Sequence, residues 1–271
     1  YCFLCDSDEI LEFPKINPHW ESPFIFTNSI IDFAVDSVHL KYYKKLTLII
    51  IELNIRYSLF RFMPEICADK IRNLLNYISK NSILSLEILL FFHVFHELGY
   101  DYLIKHSNII SIIVYNSPKF VVDDKSNNKF VDLIYICDPN PFNNCGNVGP
   151  HYFSINLETF LESKHYNSCL NRKVCIDIKG NIKNCPYMEE EFGNIFRDDI
   201  KYLIQNKEFT FVWKINKDKI EVCKDCEFRY ICTDCRAFIK DSKNIFSQPS
   251  KCPYNPYISK WSWEEGFYPV N

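Results

Sequence analysis

Cys223-Lys-Asp-Cys226-Glu-Phe-Arg-Tyr-Ile-Cys232-Thr-Asp-Cys235 carries four cysteines, and Cys252-Pro253 follows a gap of sixteen residues. Two residues between cysteines let both thiolates turn toward one centre while the intervening backbone N–H groups can point at sulfur. Four thiolates satisfy either a tetrahedral zinc or a cubane iron–sulfur cluster. Working outward, Cys169, Cys175 and Cys185 bring residues 161–271 to eight of the chain's 13 cysteines, against Cys2, Cys5, Cys67, Cys137 and Cys145 before them. Cys-Pro occurs at Cys185-Pro186 and again at Cys252-Pro253, the pairing that follows a ferredoxin ligand. The segment from Tyr1 to Ile10 has neither a basic n-region nor an apolar core, so it is no signal peptide. Without a sign of secretion, thiols on this spacing are expected to be metal ligands and not disulfides, because reducing cytosol keeps them free. A cytoplasmic location is expected.

The 271 residues include 31 Lys+Arg and 34 Asp+Glu, a formal net charge of −3. That balance argues against a nucleic-acid partner, which would require a basic surface. With 47% hydrophobic and 24% charged residues, the chain has the composition of a folded globular protein. Its longest apolar stretch, 83–95, is broken by Glu87 and His93 and is shorter than the roughly 18 residues a membrane helix needs, so no membrane partner is expected.

The first part alternates β-rich apolar runs with helical stretches, which predicts an α/β fold built of parallel βα units. Predicted strands lie at 26–33, 55–62, 84–92, 109–115 and 130–137. A helix opened by Pro64 places Cys67, Ile71, Leu74, Leu75 and Ile78 on one face, and 40–54 reads as a helix despite its β-branched Ile49 to Ile51. This recurrence predicts a partial or degenerate βα barrel over 23–145. The turn-forming segment 138–146 then serves as a linker. Beyond it, residues 146–271 form a small cysteine-rich domain with helices at 157–163 and 198–206 and a hairpin about Lys179-Gly180-Asn181.

The order Cys169, Gly180 and Cys185, then Cys223, Cys226, Cys232, Cys235 and the distant Cys252, resembles the SPASM domain, the C-terminal module of radical-SAM peptide-modifying enzymes. Asn167-Ser-Cys-Leu-Asn-Arg-Lys, Gly180-Asn-Ile-Lys-Asn-Cys-Pro186 and the 223–235 stretch resemble a narrower group: the SPASM-domain peptide maturases of grasp-with-spasm systems. In weaker form the likeness extends through Trp20-Glu-Ser-Pro23 and Cys145-Gly146. It implies a radical-SAM-like barrel followed by a SPASM domain, with residues 1–22 the remnant of a longer N-terminal section. It also implies two [4Fe-4S] clusters, one on Cys223, Cys226, Cys232 and Cys252 and the other on Cys169, Cys175, Cys185 and Cys235. The implied partners are a precursor peptide, ribosomally made and later modified, and an ATP-grasp peptide ligase. Cys232 and Cys235 are separated by two residues where the wider class has three, and Cys175 falls where some of these proteins carry an extra ligand.

A radical-SAM enzyme holds its AdoMet-cleaving cluster on Cys-x3-Cys-x2-Cys after the first barrel strand. The corresponding Val35-Asp36-Ser37-Val38-His39 has no cysteine, so reductive AdoMet cleavage has no site there. The rival readings are a catalytic radical-SAM enzyme, with Cys2-Phe-Leu-Cys5 the tail of a motif cut by the start of the sequence, and a zinc-stabilised scaffold. His93 and His96 read as partly buried packing histidines beside a strand. Asp36 and His39 read as a solvated loop, Cys67 as core, Cys137 as the end of a buried strand, and Trp261 and Trp263 as a packing lid. Cys145 is either a substitute ligand or a free thiol. Nothing in the chain forms a phosphate loop.

Overall fold

The computed structural model describes residues 22, 26–34, 40–81, 85–123, 131–140 and 145–270. Alternate residues of β1 (Asn28–Phe33), β2 (Tyr57–Phe62) and β3 (Ser85–Phe91) are sealed on one face: Ile31 and Phe33, Phe60 and Phe62, Ile88 and Leu90. Between them, α1 (Leu40–Glu52) and α2 (Ala68–Asn81) switch to the helical period. Tyr42, Leu46 and Ile49 are buried along α1, as are Ile71, Leu74, Leu75 and Ile78 along α2. Period two meeting period 3.6 is what seats each helix on the sheet. In α1 the β-branched run stays helical because Ile49 and Ile50 continue the buried stripe, while Leu48 and Ile51 face outward.

Strands β1, β2 and β3 pair in parallel, with Asp32 opposite Arg61. After α3 (Phe92–Leu98) and α4 (Tyr100–Leu103), β4 (Ile109–Tyr115) joins β3, also in parallel. A short β5 (Val121–Asp123), not anticipated from the sequence, folds antiparallel onto β6 (Asp132–Ile136), which itself runs parallel to β4.

The linker does not end the sheet. After α5 (Leu157–Ser163), whose first turn is capped by Asn156 Oδ1 accepting from Thr159 N at 2.8 Å, β7 (Lys173–Ile176) pairs in parallel with β1. It then turns back into β8 (Ile182–Lys183). Gly180 supplies the positive φ of 81° at this turn, and Asp177 Oδ1 accepts from Lys179 N and Asn181 N. The result is an α/β fold on one eight-stranded, mostly parallel sheet, ordered β5-β6-β4-β3-β2-β1-β7-β8. Beyond it come α6 (Lys207–Phe211), several 3-10 turns, and a small ladder of β9 (Tyr254–Asn255) with β10 (Lys260–Trp261).

Several expectations need correction. Cys67 is exposed, because α2 starts at Ala68, later than Pro64 implied, and Ile66 and Ala68 take the buried positions instead. Cys137 is exposed, since β6 ends at Ile136. His93 and His96 lie on α3 and face outward, not buried beside a strand. The helix expected at 198–206 is a 3-10 segment, Ile200–Gln205. It stops there because Asn206 turns its side chain to cap α6, accepting from Glu208 N and Phe209 N. The residues Asp36 and His39, and Cys2 and Cys5, lie outside the described residues. Among the described residues no helix is long and apolar enough to cross a membrane.

Candidate metal centres

Cys223–Asp225 forms a 3-10 turn in which Cys226 N donates to Cys223 O at 3.0 Å. A three-residue turn eclipses positions i and i+3, so both thiols emerge on one side. Cys232 is brought round by its own N–H donating to Phe228 O, and Cys252 by its N–H donating to Pro249 O. Cys223, Cys226, Cys232 and Cys252 line one small pocket, walled by Phe153, Phe228, Tyr254 and Trp261 and floored by Lys217. The wall is a continuous aromatic layer: Phe228 lies 5.1 Å from both Phe153 and Tyr254, and Trp261 stacks parallel on Trp263 at 5.0 Å. Trp261 is buried and Trp263 exposed, so of the two only the first packs as a lid.

Lys217 is 4% exposed, and its Nζ donates to Cys232 Sγ at 3.4 Å and pairs with Asp234 Oδ1 at 3.8 Å. Burial pushes the Cys223 thiol up to about 12 and the Cys226 thiol up to about 11; the Lys217 charge and a backbone N–H from Phe228, respectively, work the other way. As free thiols both are protonated at neutral pH, so metal uptake there must release protons.

A second group is formed by Cys169 with Cys185 and Cys235, which both lie within electrostatic reach of it. Cys169 precedes β7, Cys185 follows β8, and Cys235 closes the cysteine-rich stretch. Lys173, on β7, donates from Nζ to Cys169 Sγ at 3.2 Å. Cys185 and Cys235 accept backbone N–H groups from residues just downstream, Tyr187 for the first and Ala237 and Phe238 for the second. Burial raises Cys185 to about 12. Each thiol group thus holds one lysine against sulfur, Lys217 buried and Lys173 half-buried, a charge that would offset bound thiolates. The two groups are tied together through Asp234, which is fully buried. It accepts from Asn167 Nδ2 at 2.6 Å and Arg236 Nη2 at 2.7 Å. Asn167 Oδ1 in turn accepts Cys169 N and Leu170 N.

Cys175, assigned by the resemblance to the second cluster, sits within β7, fully buried. It pairs with Ile30 on one side and Lys183 on the other, and the charged groups that weigh most on it are Asp32 and Arg61. Among the described residues, no three Cys, His, Asp or Glu side chains converge closely enough to chelate a single ion, and that includes His93 and His96. The chain was compared with protein-family models, with curated proteins and with solved structures, and it matches none of them.

The lysines were not legible as site residues. Lys173 had one signal, since in a strand it shares a face with Cys175. Lys217, between Asn216 and Asp218, had none.

Proposed function

We propose that this chain is the cluster-carrying, peptide-binding component of a cytoplasmic peptide maturation system of the grasp-with-spasm kind. In this reading a degenerate radical-SAM-like barrel leads into a SPASM domain that holds two [4Fe-4S] clusters. The observation that carries it is the single pocket lined by Cys223, Cys226, Cys232 and Cys252, the same four that the resemblance groups on one cluster. The donor set fits: four thiols, a buried cation beside them, and an aromatic wall. A lone zinc needs its sulfurs gathered at about 2.3 Å from one point, whereas a four-iron cube takes its cysteines at separate corners. The resemblance favours the second.

When bound, the clusters would stabilise the fold and could pass electrons. The chain's own part is to hold that surface and seat the precursor peptide, while an ATP-grasp ligase joins side chains of the peptide. Nothing in the sequence forms an ATP phosphate loop, so the chemistry is assigned to the partner. The test is anaerobic reconstitution of the whole chain with metal analysis. About eight irons with matching sulfide is the expected result, four per cube. Two zincs with negligible iron would replace this reading with the scaffold. Supplied with reductant and AdoMet, the loaded chain should give no 5′-deoxyadenosine, yet it should bind precursor peptide and raise the ligase's turnover. Release of 5′-deoxyadenosine that disappears on Cys2→Ala would favour the radical-SAM rival.

A further inference from the structure

The linker ends in a close approach to the second thiol group. At Gly146, φ is +79° and a Cβ would stand 3.0 Å from Cys235 Sγ and 3.2 Å from the Phe238 ring, so only glycine lets the backbone pass at that distance. The preceding residue is Cys145, half-buried. Its carbonyl accepts from Lys251 Nζ at 2.8 Å, which fastens this end of the linker beside Cys252. The Cys145 thiol lies within electrostatic reach of Cys169, Cys185 and Cys235 alike, and of Lys173. The groups that weigh most on Cys175 are instead Asp32 and Arg61, ahead of Cys185 and Asp177, and it is held within the strand ladder opposite Ile30.

We infer that Cys145, and not Cys175, completes the second site, so that Cys145, Cys169, Cys185 and Cys235 hold one cluster. This rests on the cluster reading proposed above and refines it. The four ligands then come from four separate segments: the linker, the approach to β7, the exit from β8 and the end of the cysteine-rich stretch. Cys175 remains a packed thiol of the sheet.

The experiment loads the whole chain with iron and sulfide and compares the parent with Cys145→Ala and Cys175→Ala. The parent and Cys175→Ala should each keep about eight irons and Cys145→Ala about four, the remaining cube reporting that the variant has folded. Independently of any substitution, brief iodoacetamide treatment of the loaded parent should spare Cys145 while alkylating the exposed Cys67 and Cys137. Retention of eight irons by Cys145→Ala, with loss of four from Cys175→Ala, would overturn the assignment while leaving the cluster reading in place. So would alkylation of Cys145 in the loaded parent as fast as Cys67. A parent that takes up no iron overturns the cluster reading itself and this assignment with it.

Discussion

Asp32→Asn should be among the most damaging single changes on the sheet. Asp32 and Arg61 stand opposite each other on β1 and β2, joined by Arg61 Nε to Oδ1 and Nη2 to Oδ2, both at 2.6 Å. Their side chains are 10% and 8% exposed, so neither charge is well solvated. Burial disfavours the guanidinium charge, and the hydrogen bonds and charge of Asp32 more than offset this, holding Arg61 above its ordinary range. Asparagine keeps the shape but turns a neutral amide toward a buried cation and can accept at only one of the two positions. Breaking one side of such a pair costs about 3–5 kcal/mol. At about 2–4 °C per kcal/mol for a chain approaching this length, that is a fall of roughly 6–20 °C in melting temperature. Removing both charges together, Asp32→Leu with Arg61→Met, should recover most of the loss, since an apolar pair of similar volume is often neutral in place of a buried ion pair. Thermal unfolding of Asp32→Asn, and of the parent, Asp32→Leu, Arg61→Met and their double as a cycle, measures this. The reasoning is refuted if Asp32→Asn melts within about 2 °C of the parent, or if the two single losses simply add.

Cys226→Ala should unfold or aggregate the cysteine-rich region, because metal-binding free energy there is folding free energy. Cys67→Ala, on the surface, should stay within about 0.5 kcal/mol of the parent; equal effects in urea unfolding would show Cys226 to be no ligand. Gly146→Ala should destabilise the chain and lower iron uptake, measured together, through the strained φ and the contact with Cys235 Sγ; unchanged loading would mean the linker can move aside. His106 accepts or donates at Nδ1 with Ser79 Oγ at 2.8 Å, its Nε2 is buried without a partner among the described residues, and burial lowers its pKa from the ordinary 6.5. The unfolded chain therefore takes the proton more readily, so stability is fully present above 6.5 and declines as pH falls from there toward the folded value. Urea midpoints across that window should flatten in His106→Gln, and an unchanged slope would exclude this residue as the source.

The βα units were legible because their apolar residues keep two clean periods. Ile109 to Tyr115, for instance, reads as a strand from composition alone, and its observed bounds agree. The hairpin at Lys179-Gly180-Asn181 was legible from its turn chemistry. Its sheet partner was not, since a four-residue strand such as Lys173–Ile176 carries no mark of which edge it joins. Cys67 was misplaced through one local signal: Pro64 suits a first helical turn, but the chain makes a further turn before Ala68. The resemblance assigned Cys175, and the order of cysteines along the chain says nothing of how the linker at Gly146 is routed over Cys235. Lys217 could not be foreseen for a similar reason, as its burial depends on contacts with Asp234 and Cys232, distant in sequence.

Because β7 pairs with Asn28 to Ile31 of β1, severing the chain at the linker would turn an interior strand into an edge and leave β7 as another. Each would present a row of unpaired N–H and C=O groups, the feature that recruits foreign strands into aggregates. Residues 146–271 expressed alone would therefore tend to self-associate for reasons unrelated to metal. Within the intact chain the same pairing works as a mechanical anchor. Cys169 and Cys185 flank the two strands at its end, so their spacing is braced by the sheet whether or not anything is bound between them.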